Sequence, residues 1–221
     1  MPQSTSQPLA GYRVLELCEV WAGPLCGELL GDLGAEVVKI EAIQRIARGP
    51  LTPVSGRDYP HDNPGEHPWN RSATFNAMNR NKLSLTLDLA DPRGLLLLKE
   101  LIRVSDAFFC NLAFGVLDKM GITYEVLREI RPDIIFMPMP GYGNTGPYKK
   151  YRSMGMTLDA FCGHSAIRGY PDEDLSTLTA NQNPDAVGGV TAAFAILTAF
   201  WYRMESGCGQ YIDMAQVEGV I

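Results

Sequence analysis

The chain has 221 residues, 46% of them apolar and 20% charged, and its 19 basic against 25 acidic side chains leave a net charge of −6 at pH 7. That length suits one large domain or one domain plus a fragment, and the composition argues against disorder. The acidic balance argues against a nucleic-acid partner. Five cysteines without a CxxC pair suggest neither a disulfide framework nor a zinc knuckle, so a reducing cytoplasm is the expected setting.

Residues 1–10 show neither a basic start nor an apolar stretch and read as a flexible N-terminus without a signal peptide. Residues 11–221 read as one continuous α/β unit. Tyr12 to Leu17 has the pattern of a short strand, Leu25 to Leu33 that of a helix closing on Gly34, and AEVVKIE that of a second strand. Strand, helix and strand make a βαβ unit, the start of a mainly parallel sheet flanked by helices.

Ala42 to Trp69 is rich in Pro, Gly, Arg, Asp and His and reads as a long irregular loop of the kind that carries function. LSLTLDL then alternates as a strand, Pro92 to Val104 is helical, Ala107 to Cys110 is a strand, and Tyr124 to Ile130 is helical. DIIFMPMP gives a further strand running into the glycine-rich GYGNTGPY. Met156 to Ala166 reads as one helix and Arg168 to Pro184 as a polar loop. Ala186 to Tyr202 follows as an apolar run, too weak and short for a membrane span and therefore read as a buried helix. The turn SGCGQ and a strand YIDMA close the chain, whose apolar, uncapped ending reads as a cut.

The loop EVWAGPLCG after the first strand lacks GxGxxG, which disfavours NAD, and no GxxxxGK[ST] is present. His61, His67 and His164 have no metal-ligand spacing, so no metal site is expected, and Cys162 and Cys208 read as inert thiols. Asp185, between Pro184 and the apolar run, reads as a helix N-cap. Capping and catalysis are compatible: a helix dipole would hold the carboxylate ionised as a nucleophile, and backbone amides around Gly188 and Gly189 could face an oxyanion.

Five segments occur in order: LELCEVWAGPLCGELLGDLGAEVVKIE, NRNKLSLTLDL, NLAFGVLDKMGI, GYGNTGPY and ESGCGQYIDMAQVEG. Together they resemble the family III CoA-transferases (the CaiB/BaiF family), which include formyl-CoA:oxalate, carnitine and benzylsuccinate CoA-transferases and the α-methylacyl-CoA racemases. Members are roughly twice as long, so the chain resembles an N-terminal portion of the large domain, a Rossmann-like fold left incomplete without the C-terminal half and the small domain. The resemblance implies an interlocked homodimer when full length, with no membrane or nucleic-acid partner.

The same resemblance places the family's nucleophilic aspartate on Asp185. It implies transfer of CoA from a thioester such as succinyl-CoA to a carboxylic acid, through a mixed anhydride and an aspartyl-CoA thioester. CoA enters as a substrate, and no permanently bound cofactor or metal is implied. The family's CoA contacts fall on Val20, Trp21 and Ala22, on Leu87, and on Asn111, Lys119 and Met120, with Lys119 the phosphate partner. Two departures stand out: Ala42 replaces an arginine, with Arg45 or Arg48 nearby, and Glu-Asn-Phe reads Cys110, Asn111, Leu112. The racemase branch has a histidine where this chain has Met154, and a thioether cannot shuttle a proton, which favours transferase over racemase. A racemase of the same family and an inactive CoA-binding fragment are the competing expectations.

Overall fold

The computed structural model describes residues 7–42, 58–177 and 181–221. Arg45 and Arg48 lie outside the described residues. Six strands form one sheet: β1 (Arg13–Leu17), β2 (Glu36–Glu41), β3 (Lys82–Thr86), β4 (Ala107–Cys110), β5 (Ile135–Pro138) and β6 (Gln210–Tyr211). Their order is β3-β2-β1-β4-β5-β6 and every pairing is parallel. This is the doubly wound order of nucleotide-binding sheets, and its switch point falls between β1 and β4.

Eight α-helices accompany the strands among the described residues: α1 (Ala22–Asp32), α2 (Ala73–Met78), α3 (Pro92–Arg103), α4 (Val116–Lys119), α5 (Tyr124–Ile130), α6 (Gly155–Phe161), α7 (His164–Ile167) and α8 (Asn183–Ser206). Strand alternation sends neighbouring side chains to opposite faces. Val14, Val37, Phe109 and Met137 pack with Cys26 and Leu30 of α1 and with Ala192, Ile196 and Phe200 of α8. Leu15, Val38, Phe108 and Phe136 pack with Leu98 and Ile102 of α3 and Leu127 of α5. Both faces are thus covered, which is why these strands read as apolar runs. Phe108 and Phe109 are fully buried on opposite faces, and each side chain contributes on the order of 1.5–3 kcal/mol by leaving water.

The placement of α8 has a topological consequence. α1 carries the chain from β1 to β2, towards one edge, whereas the connection containing α8 runs from β5 to β6, towards the other. Both helices lie on the same face, so the two crossovers have opposite hands, although nearly all such crossovers are right-handed. The exchange sets α8 alongside α1, and Gly189 makes the contact possible. A Cβ there would stand 2.7 Å from the Ala22 carbonyl oxygen and 2.8 Å from the Leu25 Cβ.

Several elements differ from the sequence reading. α1 begins three residues early, at Ala22, because Pro24 needs no amide partner in a first turn. α2 was not anticipated; Ser72 caps it by accepting the Phe75 amide at 3.1 Å. The segment expected as one helix from Met156 to Ala166 is two, α6 and α7, separated by Gly163 at φ 83°. β6 is only two residues, and Gln216–Val220 forms a 3-10 turn. α8 is buried on one side only: Ala192, Ile196 and Phe200 face inward, whereas Val190, Phe194, Trp201 and Met204 are exposed. It is long and apolar enough to cross a membrane, and its inner face packs on α1 and the sheet.

Candidate active site

Asp185 is not the N-cap of its own helix. α8 starts at Asn183 with Gln182 as cap, and Pro184, which has no amide to satisfy, occupies the first turn; the Asp185 amide donates to the Gln182 carbonyl at 3.0 Å. The Asp185 carboxylate lies against the start of α6, where a Cβ on Gly155 would meet its Oδ2, and the backbone amides of Ala22 and Gly155 act on it electrostatically, favouring its ionised form. Ala22 is the first residue of α1 and Gly155 the first of α6. Such amides have no partner within their own helices. The N-termini of α1, α6 and α8 therefore meet at one half-buried carboxylate.

Burial raises the Asp185 pKa above the ordinary carboxylate value, and the two amides oppose it without cancelling it. The expectation of a side chain simply held ionised by a dipole is thus incomplete, because desolvation is the larger effect. Gly188 and Gly189 also serve differently from expectation. They lie beyond the first turn of α8, where amides belong to the helix's own ladder, and both are buried in packing contacts: Gly188 against Gln216, Gly189 against α1.

A buried ion cluster fixes the entry of α1. Glu16 is fully buried on β1, with Oε1 2.8 Å from the Lys39 Nζ and Oε2 2.8 Å from the Lys82 Nζ. Burial lowers the Lys39 pKa, but the charge and hydrogen bond of Glu16 outweigh it and leave the value raised; at Lys82 burial prevails and the value is lowered. Lys39 also donates to the Cys18 carbonyl at 2.8 Å, and Lys82 to the Pro24 carbonyl at 2.7 Å. The cluster joins three strands to the loop and first turn that present Ala22. Sequence reasoning passed over it, although charged residues inside the apolar KIE and NK strand patterns were the available signal.

Of the other residues singled out in the sequence, Val20 and Trp21 lie in the loop after β1 and Ala22 opens α1. The Trp21 indole Nε1 is buried with no hydrogen-bond partner among the described residues. Asn111 follows β4 and pairs with the backbone of Glu19. Leu87, just past β3, and Met120, just past α4, belong to the second core cluster. Lys119, the last residue of α4, is exposed. All of these lie past the carboxyl ends of β1, β3 and β4, the edge where doubly wound sheets bind ligands.

Gly155 is the site residue that sequence reasoning missed. Met154, which caps α6, exposes its thioether, and its backbone amide donates to the Thr157 Oγ1 at 2.8 Å. His61 and His67 are exposed, and His164 opens α7 with Nδ1 3.6 Å from the Asp159 Oδ1. Among the described residues no group of acidic, His or Cys side chains could hold a metal, and all five cysteines are free. Among the described residues, a cavity of 310 Å³ lies between β4, β5 and α5, and another of 670 Å³ lies beside Lys39, Lys82 and Trp69. Asp185 lines neither of them.

The fold is a doubly wound parallel sheet, and Asp185, at the start of α8, is a half-buried carboxylate beside the first residue of α6. The model of CoA-transferase family III matches residues 9–221, and the chain belongs to that family. It is 34% identical over 220 residues to succinyl-CoA–D-citramalate CoA-transferase of Chloroflexus aurantiacus, covering 99% of this chain and 52% of that protein. It is 35% identical to succinate–glutarate CoA-transferase of Agrobacterium fabrum, covering 96% of this chain and 51% of that one. Formyl-CoA:oxalate CoA-transferase of Bradyrhizobium diazoefficiens is 33% identical, over 98% of this chain and 48% of its own length. Among solved structures, a CaiB/BaiF family protein from Brucella suis superposes with a TM-score of 0.83 at 33% identity, covering 97% of this chain and 54% of that one. The chain thus spans about half the length of the curated relatives it matches.

Proposed function

We propose that the protein carrying these residues is a CoA-transferase that moves CoA from a donor thioester to an acceptor carboxylic acid, with Asp185 as the nucleophile. One observation carries the reading: the half-buried Asp185 carboxylate sits against the first residue of α6, and the leading amides of α1 and α6 favour its ionised form. A carboxylate oxygen of Asp185 attacks the thioester carbonyl carbon, the C–S bond breaks, and CoA leaves as thiolate, giving a mixed anhydride. The thiolate attacks the aspartyl carbonyl, releasing the donor acid and leaving Asp185 as its CoA thioester. The acceptor carboxylate then repeats the exchange in reverse, and Asp185 is regenerated. No proton is abstracted from carbon, so no second acid/base group is needed, and the Met154 thioether at the cap of α6 is compatible with that chemistry.

Two of the similar proteins carry succinate or succinyl-CoA in their names, which supports a dicarboxylic donor such as succinyl-CoA. The loop Val20–Ala22 with Leu87, Asn111, Lys119 and Met120 is the CoA-binding edge in this reading. The 221 residues form the N-terminal portion of the large domain, and assembly into an interlocked homodimer completes the site.

Intact-protein mass spectrometry of the whole protein with succinyl-CoA and hydroxylamine tests the mechanism. A hydroxamate confined to Asp185, absent from Asp185→Ala, is expected. No adduct in a folded protein that binds CoA would overturn the covalent route, and solvent deuterium entering the α-carbon of an acyl-CoA without an acceptor acid would assign an isomerase.

A further inference from the structure

Val20 is left-handed, at φ 67°. Among the described non-glycine residues with positive φ it is the one with a β-branched side chain, the type that tolerates this conformation least. Something must hold it there, and the neighbours are on both sides. Asn111, set at the end of β4, accepts the Glu19 amide on Oδ1 at 2.9 Å and donates from Nδ2 to the Glu19 carbonyl at 2.6 Å. Both polar atoms of the Asn111 side chain thereby engage the backbone of one residue. Cys18, one position earlier, is held by Lys39 at its carbonyl. After Val20 the chain has one more residue, Trp21, before Ala22, whose amide favours the ionised Asp185 carboxylate. The first turn of α1 rests directly on the clamp: a Cβ on Gly23 would lie 3.2 Å from the Asn111 Cγ.

We propose that Asn111 is a positioning residue, which by pairing both backbone groups of Glu19 keeps Val20 left-handed and so aims the Ala22 amide at the Asp185 carboxylate. The physical logic is that an unfavourable backbone state persists only when its surroundings over-determine it, and such states concentrate where geometry serves chemistry. The inference rests on the reading of Asp185 as the nucleophile and adds to it. Strand β4 becomes the reference frame of the reacting group, because the clamp crosses the switch point from β4 to the loop after β1.

The test is a double-mutant cycle in the whole protein, with Asn111→Ala, Val20→Gly and the pair, read as kcat and as KM for succinyl-CoA. Without the clamp the loop relaxes to negative φ at position 20 and the Ala22 amide leaves Asp185. Asn111→Ala is expected to lower kcat about 100-fold, the size of a lost charge-stabilising amide, a loss that removal of a CoA contact, which raises KM, would not give. Glycine adopts positive φ without steric cost, so Val20→Gly is expected to help at least tenfold more in the Asn111→Ala background than alone. A raised KM with kcat intact would make Asn111 a CoA contact only. Independent effects of the two substitutions would overturn the link through Val20. If Asn111→Ala does not fold, Asn111→Asp, which keeps the acceptor and loses the donor, is read in its place with the same expectation. If the wild type forms no Asp185 adduct, the nucleophile reading fails first; an adduct that forms at the wild-type rate in the Asn111 variant refutes the positioning role alone.

Discussion

The Gly155 backbone lies so close to the Asp185 side chain that a Cβ there would stand 1.9 Å from Oδ2, and the Gly155 amide favours the ionised carboxylate. A side chain at this position would displace the Asp185 carboxylate or α6. Gly155→Ala must push either α6 or the carboxylate away, breaking one of the two amide contacts. Transfer is expected to fall by about 100-fold or more, the cost typical of removing one charge-stabilising donor. Steady-state kcat and the yield of the Asp185 hydroxamate would read it, with circular dichroism showing the fold retained.

Burial raises the Asp185 pKa, and the Ala22 and Gly155 amides lower it by less. Nucleophilic attack needs the carboxylate, so activity is lost as pH falls through a value above the ordinary aspartate range. The acid limb of kcat/KM should therefore lie higher than for a solvated aspartate. Removing the Gly155 amide contact takes away a pKa-lowering partner and should move that limb higher still. A limb at or below the ordinary aspartate value would contradict the desolvated site.

Glu16 is the common counter-ion of Lys39 and Lys82, all three among the most buried charged side chains of the sheet. Removing one member of a buried ion cluster leaves the others uncompensated. Glu16→Ala is expected to destabilise by about 3–5 kcal/mol, measured by urea unfolding. Because Lys82 also holds the Pro24 carbonyl, milder loss at Lys82→Met should loosen the first turn of α1, read as faster amide exchange around Ala22.

Gly189 permits α8 to lie against α1, its would-be Cβ 2.7 Å from the Ala22 carbonyl oxygen. Gly189→Ala overpacks this contact and is expected to cost about 1–3 kcal/mol, despite the better helix propensity of alanine. A lowered thermal midpoint together with lowered transfer would show that helix packing and the Ala22 amide are coupled.

Regular segments were legible because burial on both faces and clear end signals mark them: Ala107–Cys110 and Tyr124–Ile130 fall as the sequence reading has them. The failures have local causes. Gly163 divides one periodic stretch into α6 and α7, and α8 shows its apolar outer side to solvent, so apolarity alone overstated its burial. The importance of Asp185 was visible from its setting and from the five ordered segments, but the N-cap role assigned to it belonged to Gln182.

The sequence by itself determined a parallel α/β sheet, membership of the CoA-transferase lineage and the aspartate on which its chemistry is proposed to turn, because periodicity, turn residues and ordered motifs are written along the chain. Only the tertiary structure decided what surrounds that aspartate. Ala22, Gly155 and Asp185 are far apart in the chain, and nothing local tells which face of the sheet a crossover helix will choose. The choice of α8 to lie on the face of α1 brings the three helix N-termini together, and the desolvation and amide contacts that set the character of Asp185 follow from that meeting.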